Sequence, residues 1–483
     1  MSAANQKNVI GAVAAAVLVA RLKDARLVPR LILEPDGSVG GTVKIWTSAL
    51  AIYGYEKVVA AILRRLGLTK VPSTLAAMLS LFSILRSAQK AKGRKFSDEL
   101  SALLKPGVDF LGKWMGLFLA PPLVSLDASI AALPPYQGAV WGNAVALLST
   151  GWAATHSAAA AVASSLVPQR PAAPKAGAAA AAAPAAGGAA VGAAEAVPQE
   201  EAVRRAWVFL GALGYLGVSC SPLLPPVLHR PVGMLCELST TVGSIALSKL
   251  LPGSVTKVLH PLVICAVSSN MASRFAGSAA PYRDGGRGVG DRLFQWLPAA
   301  VTGLGVRMYN TTDKWLDSPD DFKCVLATCG ASGCFSILLT TAGALSQHSP
   351  LSVPAPLALP MLHRSVMSAL GIEGSMAIGP ECDPQLAVAS ILITGCIGAS
   401  LGNTLLRAVP QVFCADSALV RGVAMGCSAH SIGTAGLISE GDTDAAAISG
   451  ASMCLAGTMH TLVLSLPGVV PIIRAVARLP AAA

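Results

Sequence analysis

The stretch Leu386–Leu406 reads "LAVASILITGCIGASLGNTLL", 21 residues without one charged side chain. At 1.5 Å rise per residue a helix of this length spans about 30 Å, the thickness of a bilayer's hydrocarbon core. Backbone polar groups at that depth find no water, so such a run predicts a helix that satisfies them internally. Val325–Leu345, "VLATCGASGCFSILLTTAGAL", is equally free of charge. Similar runs recur through the chain, which sets aside a single signal peptide on a soluble protein. The composition agrees: of 483 residues 53% are hydrophobic and 13% charged, with a mean hydropathy of +0.61, whereas soluble domains carry about a quarter charged residues. The sequence predicts an all-α polytopic membrane protein with about 12 or 13 transmembrane helices in two modules.

Residues 1–40 mix Ala and Val with Lys7, Arg21, Lys23, Arg26 and Arg30 and hold few acids, the pattern of a short targeting segment. Spans are expected at 45–63, 71–87, 107–125 and 138–165, forming a first module over 41–166. Residues 167–201, "VPQRPAAPKAGAAAAAAPAAGGAAVGAAEAVPQEE", lose nearly all large apolar side chains and predict an exposed Ala/Pro/Gly linker. A second module over 202–475 is expected to hold spans at 203–222, 231–251, 257–275, 291–309, 322–346, 353–373, 384–408, 417–438 and 444–470. The net charge of +11 comes from basic residues clustered in short connections, among them Arg86, Lys90, Lys92, Arg94, Lys95 and Lys105. That clustering marks the cytosol-like face of the first module and points to no nucleic acid. In the second module the basic residues lie on both faces, so charge does not orient it. All eleven cysteines fall at or after Cys220, mostly in apolar runs and without metal-ligand spacing, so they read as buried thiols. No metal or other cofactor is expected.

Ionisable side chains at membrane depth cost roughly 2.5–3.5 kcal/mol each on insertion scales and tend to mark a pathway. Three segments of the second module combine them with helix breakers. In "GVAMGCSAHSIGTAGLISEGD", Gly422–Asp442, His430 and Thr434 are four apart and share a helix face. Gly422, Gly426, Gly433 and Gly436 suit tight helix packing, or a helix interrupted around Ser431–Gly433 that exposes N–H groups and hydroxyls to an anion. Glu440 follows as a supporting candidate. "KVLHPLVICAVSS" sets His260 before Pro261 inside an apolar run, freeing backbone carbonyls. "PAPLALPMLHRSVMSALG" sets His363, Arg364 and Ser365 after Pro354, Pro356 and Pro360. Arg364 either snorkels to an interface or supplies a guanidinium fork for a carboxylate. Asp291, in "YRDGGRGVGDRLFQW", either caps the helix that follows or supports the site. The histidines are single and scattered, with no nucleophile–base pair and no HExxH, so enzymatic chemistry is not expected. Broken, small-residue helices carrying cations and hydroxyls suit alternating access to a small anion.

The second-module stretches "LPGSVTKVLHPLVICAVSS", "GRGVGDRLF", "DPQLAVASILITGCIGASLG" and "RGVAMGCSAHSIGTAGLISEG" resemble those of the plastidal glycolate/glycerate translocators, fusions of an LrgA-like and an LrgB-like (CidA/CidB-like) module. In the first module "VPSTLAAMLSLFSIL" and "LGKWMGLFLAPPLVSL" resemble the LrgA-like signatures. One departure is that His363–Met367 lacks the family's Pro and Thr in this run. The resemblance implies a multi-pass carrier of the plastid inner envelope that exports glycolate and imports glycerate in photorespiration. Its partners are then small monocarboxylates and the lipid bilayer, and self-association stays open. Arg364, Ser365, His430, Ser431, Thr434 and His260 are the substrate-binding candidates, with Asp291, Gly433 and Glu440 in support. The alternatives are a holin/antiholin-like pore or regulator, or a carrier of pyruvate or lactate.

Overall fold

A computed structural model describes residues 39–479 of the chain apart from 69–71, 168–192, 249, 253–254, 256–260, 278–280, 317, 346–348 and 410–411. The expected targeting segment falls almost wholly outside the described residues. So do most of the expected linker and the candidate His260. Every regular element described is helical. In chain order they are α1 (Val39–Arg65), α2 (Ser73–Lys92), α3 (Arg94–Lys113), α4 (Met115–Val124), α5 (Leu126–Ala131) and α6 (Gly138–Leu166). Next come α7 (Ala193–Ser219), α8 (Pro226–Ser248), α9 (Pro261–Ala276) and α10 (Val289–Phe294). The last group is α11 (Leu297–Leu316), α12 (Pro319–Thr340), α13 (Ala355–Met361), α14 (Ser368–Ile378), α15 (Pro384–Ala408), α16 (Ala418–Ser439), α17 (Thr443–Ser465) and α18 (Val469–Val476). α7 already begins inside the stretch read as linker, where alanine has the strongest helix propensity.

Among the described residues four helical stretches are long and apolar enough to cross a membrane by length and composition: Arg94–Ala131, Pro319–Leu345, Pro384–Ala408 and Asp444–Ser465. The protein is therefore an all-α membrane protein, and the count of about 12 or 13 spans is not reached. The shortfall has a physical origin. The span expected over 353–373 is divided between α13 and α14, and α1 carries Lys44, Glu56, Lys57, Arg64 and Arg65 along an otherwise apolar helix.

The chain forms two compact units, and neither follows the linker. The first contains Pro168–Leu251 and Pro261–Phe294, together with Met1–Thr47. In it α8 packs against α7 and α9. A buried hydroxyl chain runs from Ser269 Oγ to Thr241 Oγ1 at 2.8 Å, with Tyr282 OH 3.3 Å from Thr241 Oγ1. Asp291, at the start of α10, closes the preceding loop rather than capping its own helix. Its carboxylate accepts the N–H groups of Asp284 (2.7 Å), Gly286 (3.0 Å) and Gly288 (3.3 Å) and the Arg283 guanidinium (3.4 Å). Burial pushes the Asp291 carboxyl up, but these donors outweigh it and hold it below the ordinary value.

The second unit contains Ser48–Val167 and Gln295–Ala483, with Pro252–His260. It thus joins α2–α6, which precede the linker, to α11–α18, which follow it. Its heart is the α16–α17 hairpin, against which α15, α12 and α6 pack, while α11 lies on α2 and α3. Apolar side chains such as Val423, Ala424, Met425, Val388 and Ile391 are buried there, and polar cross-links pin the periphery, as between Ser97 and Tyr309 (2.5 Å) and between Ser101 and Asn310 (2.9 Å).

Asp442 closes the α16–α17 turn. It receives Arg421 Nε at 2.6 Å and caps α17 through Ala445 N at 3.3 Å. Burial raises its carboxyl, but Arg421 outweighs this and leaves it below the ordinary carboxylate value. Its stabilisation is therefore complete above the unfolded value of about pH 4 and is lost as pH falls through the lower folded value. Asp442→Asn should destabilise the protein by about 1–2 kcal/mol at pH 7. That loss should shrink below pH 4, as read by thermal melts in detergent at several pH values.

Candidate functional site

The polar centre of the second unit begins with proline. Pro360 lacks an N–H, and its ring opposes the helix geometry of the preceding turn, so α13 cannot continue. The chain instead passes through a run of i→i+3 turns: His363 N donates to Pro360 O (3.2 Å), Arg364 N to Met361 O (3.2 Å) and Val366 N to His363 O (3.1 Å). Met367 is extended, with φ −68° and ψ 142°, and starts α14. Two hydroxyls one turn apart on α15 receive carbonyls freed by the break, Ser390 Oγ donating to Pro360 O (3.4 Å) and Thr394 Oγ1 to Arg364 O (2.5 Å).

This break aims Arg364 inward. The side chain is wholly buried, which excludes snorkelling to an interface. Nη1 donates to Thr340 Oγ1, to Met361 O (3.3 Å) and to Ser336 O (3.5 Å). Nη2 donates to Thr155 Oγ1 (3.2 Å) and Gly151 O (3.4 Å), and Nε has no partner. Every partner is neutral: among the described residues no carboxylate pairs with this guanidinium. A Cβ on Gly151 would stand 2.8 Å from Arg364 Nε, so only glycine lets the α6 backbone approach so closely. Ser365 is buried beside it, accepting from Ser336 Oγ at 3.3 Å.

The second break lies in α16. His430 adopts φ 43° and ψ −136°, a strained conformation for a residue with a side chain, which divides the helix in two. Its Nε2 lies 2.9 Å from Ile391 O on α15. Gly395, one turn on, makes room for the ring, since a Cβ there would lie 2.7 Å from His430 Cε1. Thr434 Oγ1 donates to the His430 carbonyl (3.0 Å) and lies 2.8 Å from Ser449 Oγ on α17. The interruption expected at Ser431–Gly433 thus sits at His430, and Thr434 braces it. Gly433 is buried against Met425 and Ala429, Ser431 is exposed, and Glu440 lies at the far end of α16, accepting from Asn403 Nδ2.

The two breaks therefore share one support, the Ser390–Gly395 turn of α15, but not one ligand shell. The guanidinium has no hydrogen bond to His430, Ser431 or Thr434. The hydroxyls that accept from it are those of Thr155 and Thr340, with Ser336 meeting it through its carbonyl. The sequence reading missed Gly151 and Thr155, which come from the first module, and Ser336 and Thr340 on α12. It also missed His460 of α17, whose Nε2 lies 3.2 Å from His363 Nδ1, and His156 of α6, whose Nδ1 lies 2.8 Å from Ser428 Oγ. Serines and threonines four apart on an apolar helix satisfy their own backbone so often that they raised no signal. Among the described residues no group of three His, Cys, Asp or Glu side chains is placed to hold a metal.

The LrgB-like family matches residues 241–469, a range that contains both breaks and Arg364. The plastidal glycolate/glycerate translocator 1, chloroplastic, of Arabidopsis thaliana is 25% identical over 427 residues, covering 83% of this chain and 74% of the relative. No solved structure matches the chain. A translocator relative and an LrgB-like domain accord with the expectation of no enzymatic chemistry. Residues 241–469 are thus similar to the LrgB-like family, and most of the chain to a plastidal translocator.

Proposed function

We propose that this protein is a membrane transporter of small 2-hydroxy monocarboxylates, exchanging glycolate and glycerate across the plastid inner envelope in support of photorespiration. The observation that carries the carboxylate reading is Arg364, a wholly buried cation with neutral partners alone. Removing an ion from water costs several kcal/mol even after relaxation, and neutral oxygens repay part of that, whereas a carboxylate repays far more. A transported monocarboxylate supplies the missing charge, and the guanidinium fork suits its two oxygens. The hydroxyls of Thr340 and Thr155 accept from the fork, and Ser365, next in the chain to Arg364, accepts from Ser336 Oγ and keeps its own hydroxyl proton free, so Ser365 is the best placed to read a 2-hydroxyl. His430, Gly433 and Thr434 act in this reading as the hinge that lets α16 move, and Glu440 steadies its far end. The similarity to a plastidal translocator supports the substrate class and the plastid location.

In this reading the more polar helices also cross the membrane, to give the 12 or 13 crossings read from sequence. The site then lies between helices of both modules, with the LrgA-like residues 41–166 supplying Gly151 and Thr155. A holin-like pore needs only amphipathic helices that associate and has no use for a dry guanidinium.

Counterflow of labelled glycolate in proteoliposomes tests the reading, with glycerate, lactate, pyruvate and acetate as competitors. Saturable, hydroxy-acid-selective counterflow is expected, and leakage of unrelated solutes would instead indicate a pore. Arg364→Ala should abolish counterflow. Arg364→Lys keeps the charge but loses the fork, so it should weaken binding of every monocarboxylate by about 10- to 100-fold. Ser365→Ala should weaken glycolate and glycerate by about 5- to 30-fold while leaving acetate within about twofold. Equal losses for glycolate and acetate in Ser365→Ala would place hydroxyl recognition elsewhere.

A further inference from the structure

Next to Arg364 stands a pair of buried imidazoles that carboxylate binding does not use. His363 and His460 are both wholly buried, their rings meet edge to face with centroids 5.3 Å apart, and Nδ1 of the first lies 3.2 Å from Nε2 of the second. One of these nitrogens must donate and the other accept. Each neutral imidazole has one N–H and one lone pair, so the two outer nitrogens are left as one donor and one acceptor. His460 also meets the Gly333 backbone through a hydrogen bond, whereas His363 Nε2 is buried and has no partner. An orphaned buried polar group costs about 1–3 kcal/mol, and here one is kept at the end of a hydrogen-bonded chain. Such an end can take up a proton that the pair then shares.

The pair lies between Arg364 and a cavity. A volume of about 1060 Å³ opens in this unit, lined in part by Glu373, Ile378, Leu464 and Ser465 of α14 and α17. His460 is one turn before Leu464 on α17. A Cβ on Gly374 of α14 would lie 2.5 Å from His363 Cε1 and 3.4 Å from Leu464 Cδ1. The imidazoles are thus one layer behind the cavity wall. The charged and titratable groups that face them are each other and Arg364. α12 meets them at Gly333 and α14 at Gly374, while Glu373 lines the cavity instead.

We infer that the His363–His460 pair carries a proton with each carboxylate, coupling substrate movement to a proton gradient. This rests on the carboxylate-transport reading of Arg364. The coupling is electrostatic. With the site empty, a proton on the pair would add a second positive charge beside the buried guanidinium. A bound carboxylate neutralises the guanidinium and removes that obstacle, so anion and proton each favour the other's binding by the same factor. The proton enters from the cavity side onto an outer nitrogen, shifts along the Nδ1–Nε2 hydrogen bond, and leaves when the anion does. Anion and proton together add no net charge to the site, so the cycle is electroneutral.

The test uses the full chain in liposomes, with labelled glycolate and a trapped pH indicator, set against protein-free liposomes to subtract diffusion of the undissociated acid. Wild-type protein should show counterflow at equal pH on both sides. An inside-alkaline gradient of one pH unit should raise its protein-dependent initial rate of net uptake several-fold, with acidification of the lumen in step. His460→Gln and His363→Gln should each keep counterflow at equal pH, which shows that the variant is folded and binds, and should lose the response to the gradient. Retention of that response in both variants, or loss of counterflow along with it in both, would overturn the coupling role. Wild-type counterflow together with net uptake that neither responds to the gradient nor acidifies the lumen would overturn the coupling alone. Absence of wild-type counterflow would overturn the carboxylate-transport reading, and the coupling with it.

Discussion

A buried guanidinium that meets no carboxylate among the described residues is the constraint on which the second unit is organised. Arg364 is held away from water by α6, α12 and the α13–α14 break, and each of these presents neutral oxygen to it. The arrangement is a poor way to make a stable protein, because a buried ion with only neutral partners is costly. It is a good way to select an anion, because the first carboxylate to arrive relieves that cost. Gly151 and the hydroxyls of Thr155 and Thr340 close the shell around the guanidinium.

The same unit keeps two of its helices broken. The breaks at Pro360–Met367 and at His430 would leave carbonyls unsatisfied at membrane depth. The Ser390–Gly395 turn of α15 donates hydroxyls to the carbonyls of the first break and offers the Ile391 carbonyl to the His430 ring at the second, where Thr434 Oγ1 donates to the His430 carbonyl. α15 is itself one of the most apolar stretches of the chain, so a rigid membrane helix supports two strained segments. Strain of the kind found at His430, of order 1–3 kcal/mol, persists only where the surroundings fix it, and it accompanies segments that move. The two breaks are then coupled through shared backbone support rather than through a shared ligand.

The helical membrane character was legible from Leu386–Leu406 and Val325–Leu345 alone, because an uncharged run of that length has few other solutions. The break after Pro360 was legible too, since proline chemistry is local, as was the break in α16, which fell at His430 rather than at the glycines after it. Arg364 was legible because charge in an apolar run is rare. What surrounds Arg364 was not. Gly151, Thr155, Ser336 and Thr340 look like ordinary small residues of packed helices, and their role arises only when α6 and α12 are brought together across a long sequence separation. The His363–His460 pair was hidden for the same reason, 97 positions separating its members. Only four stretches among the described residues meet the length and apolarity of a span, because polar positions in α1 and the α13–α14 break interrupt the apolar runs.

The central claim, that Arg364 holds the substrate's carboxylate, is tested most directly by a distance. In reconstituted protein with arginine labelled by ¹⁵N, the contact to [1-¹³C]glycolate can be read by dipolar recoupling, with Arg364→Lys to assign it. A carboxylate carbon about 4 Å from one guanidinium, absent in the lysine variant, is the result this account predicts. Bound glycolate with no arginine nitrogen within about 6 Å would contradict it.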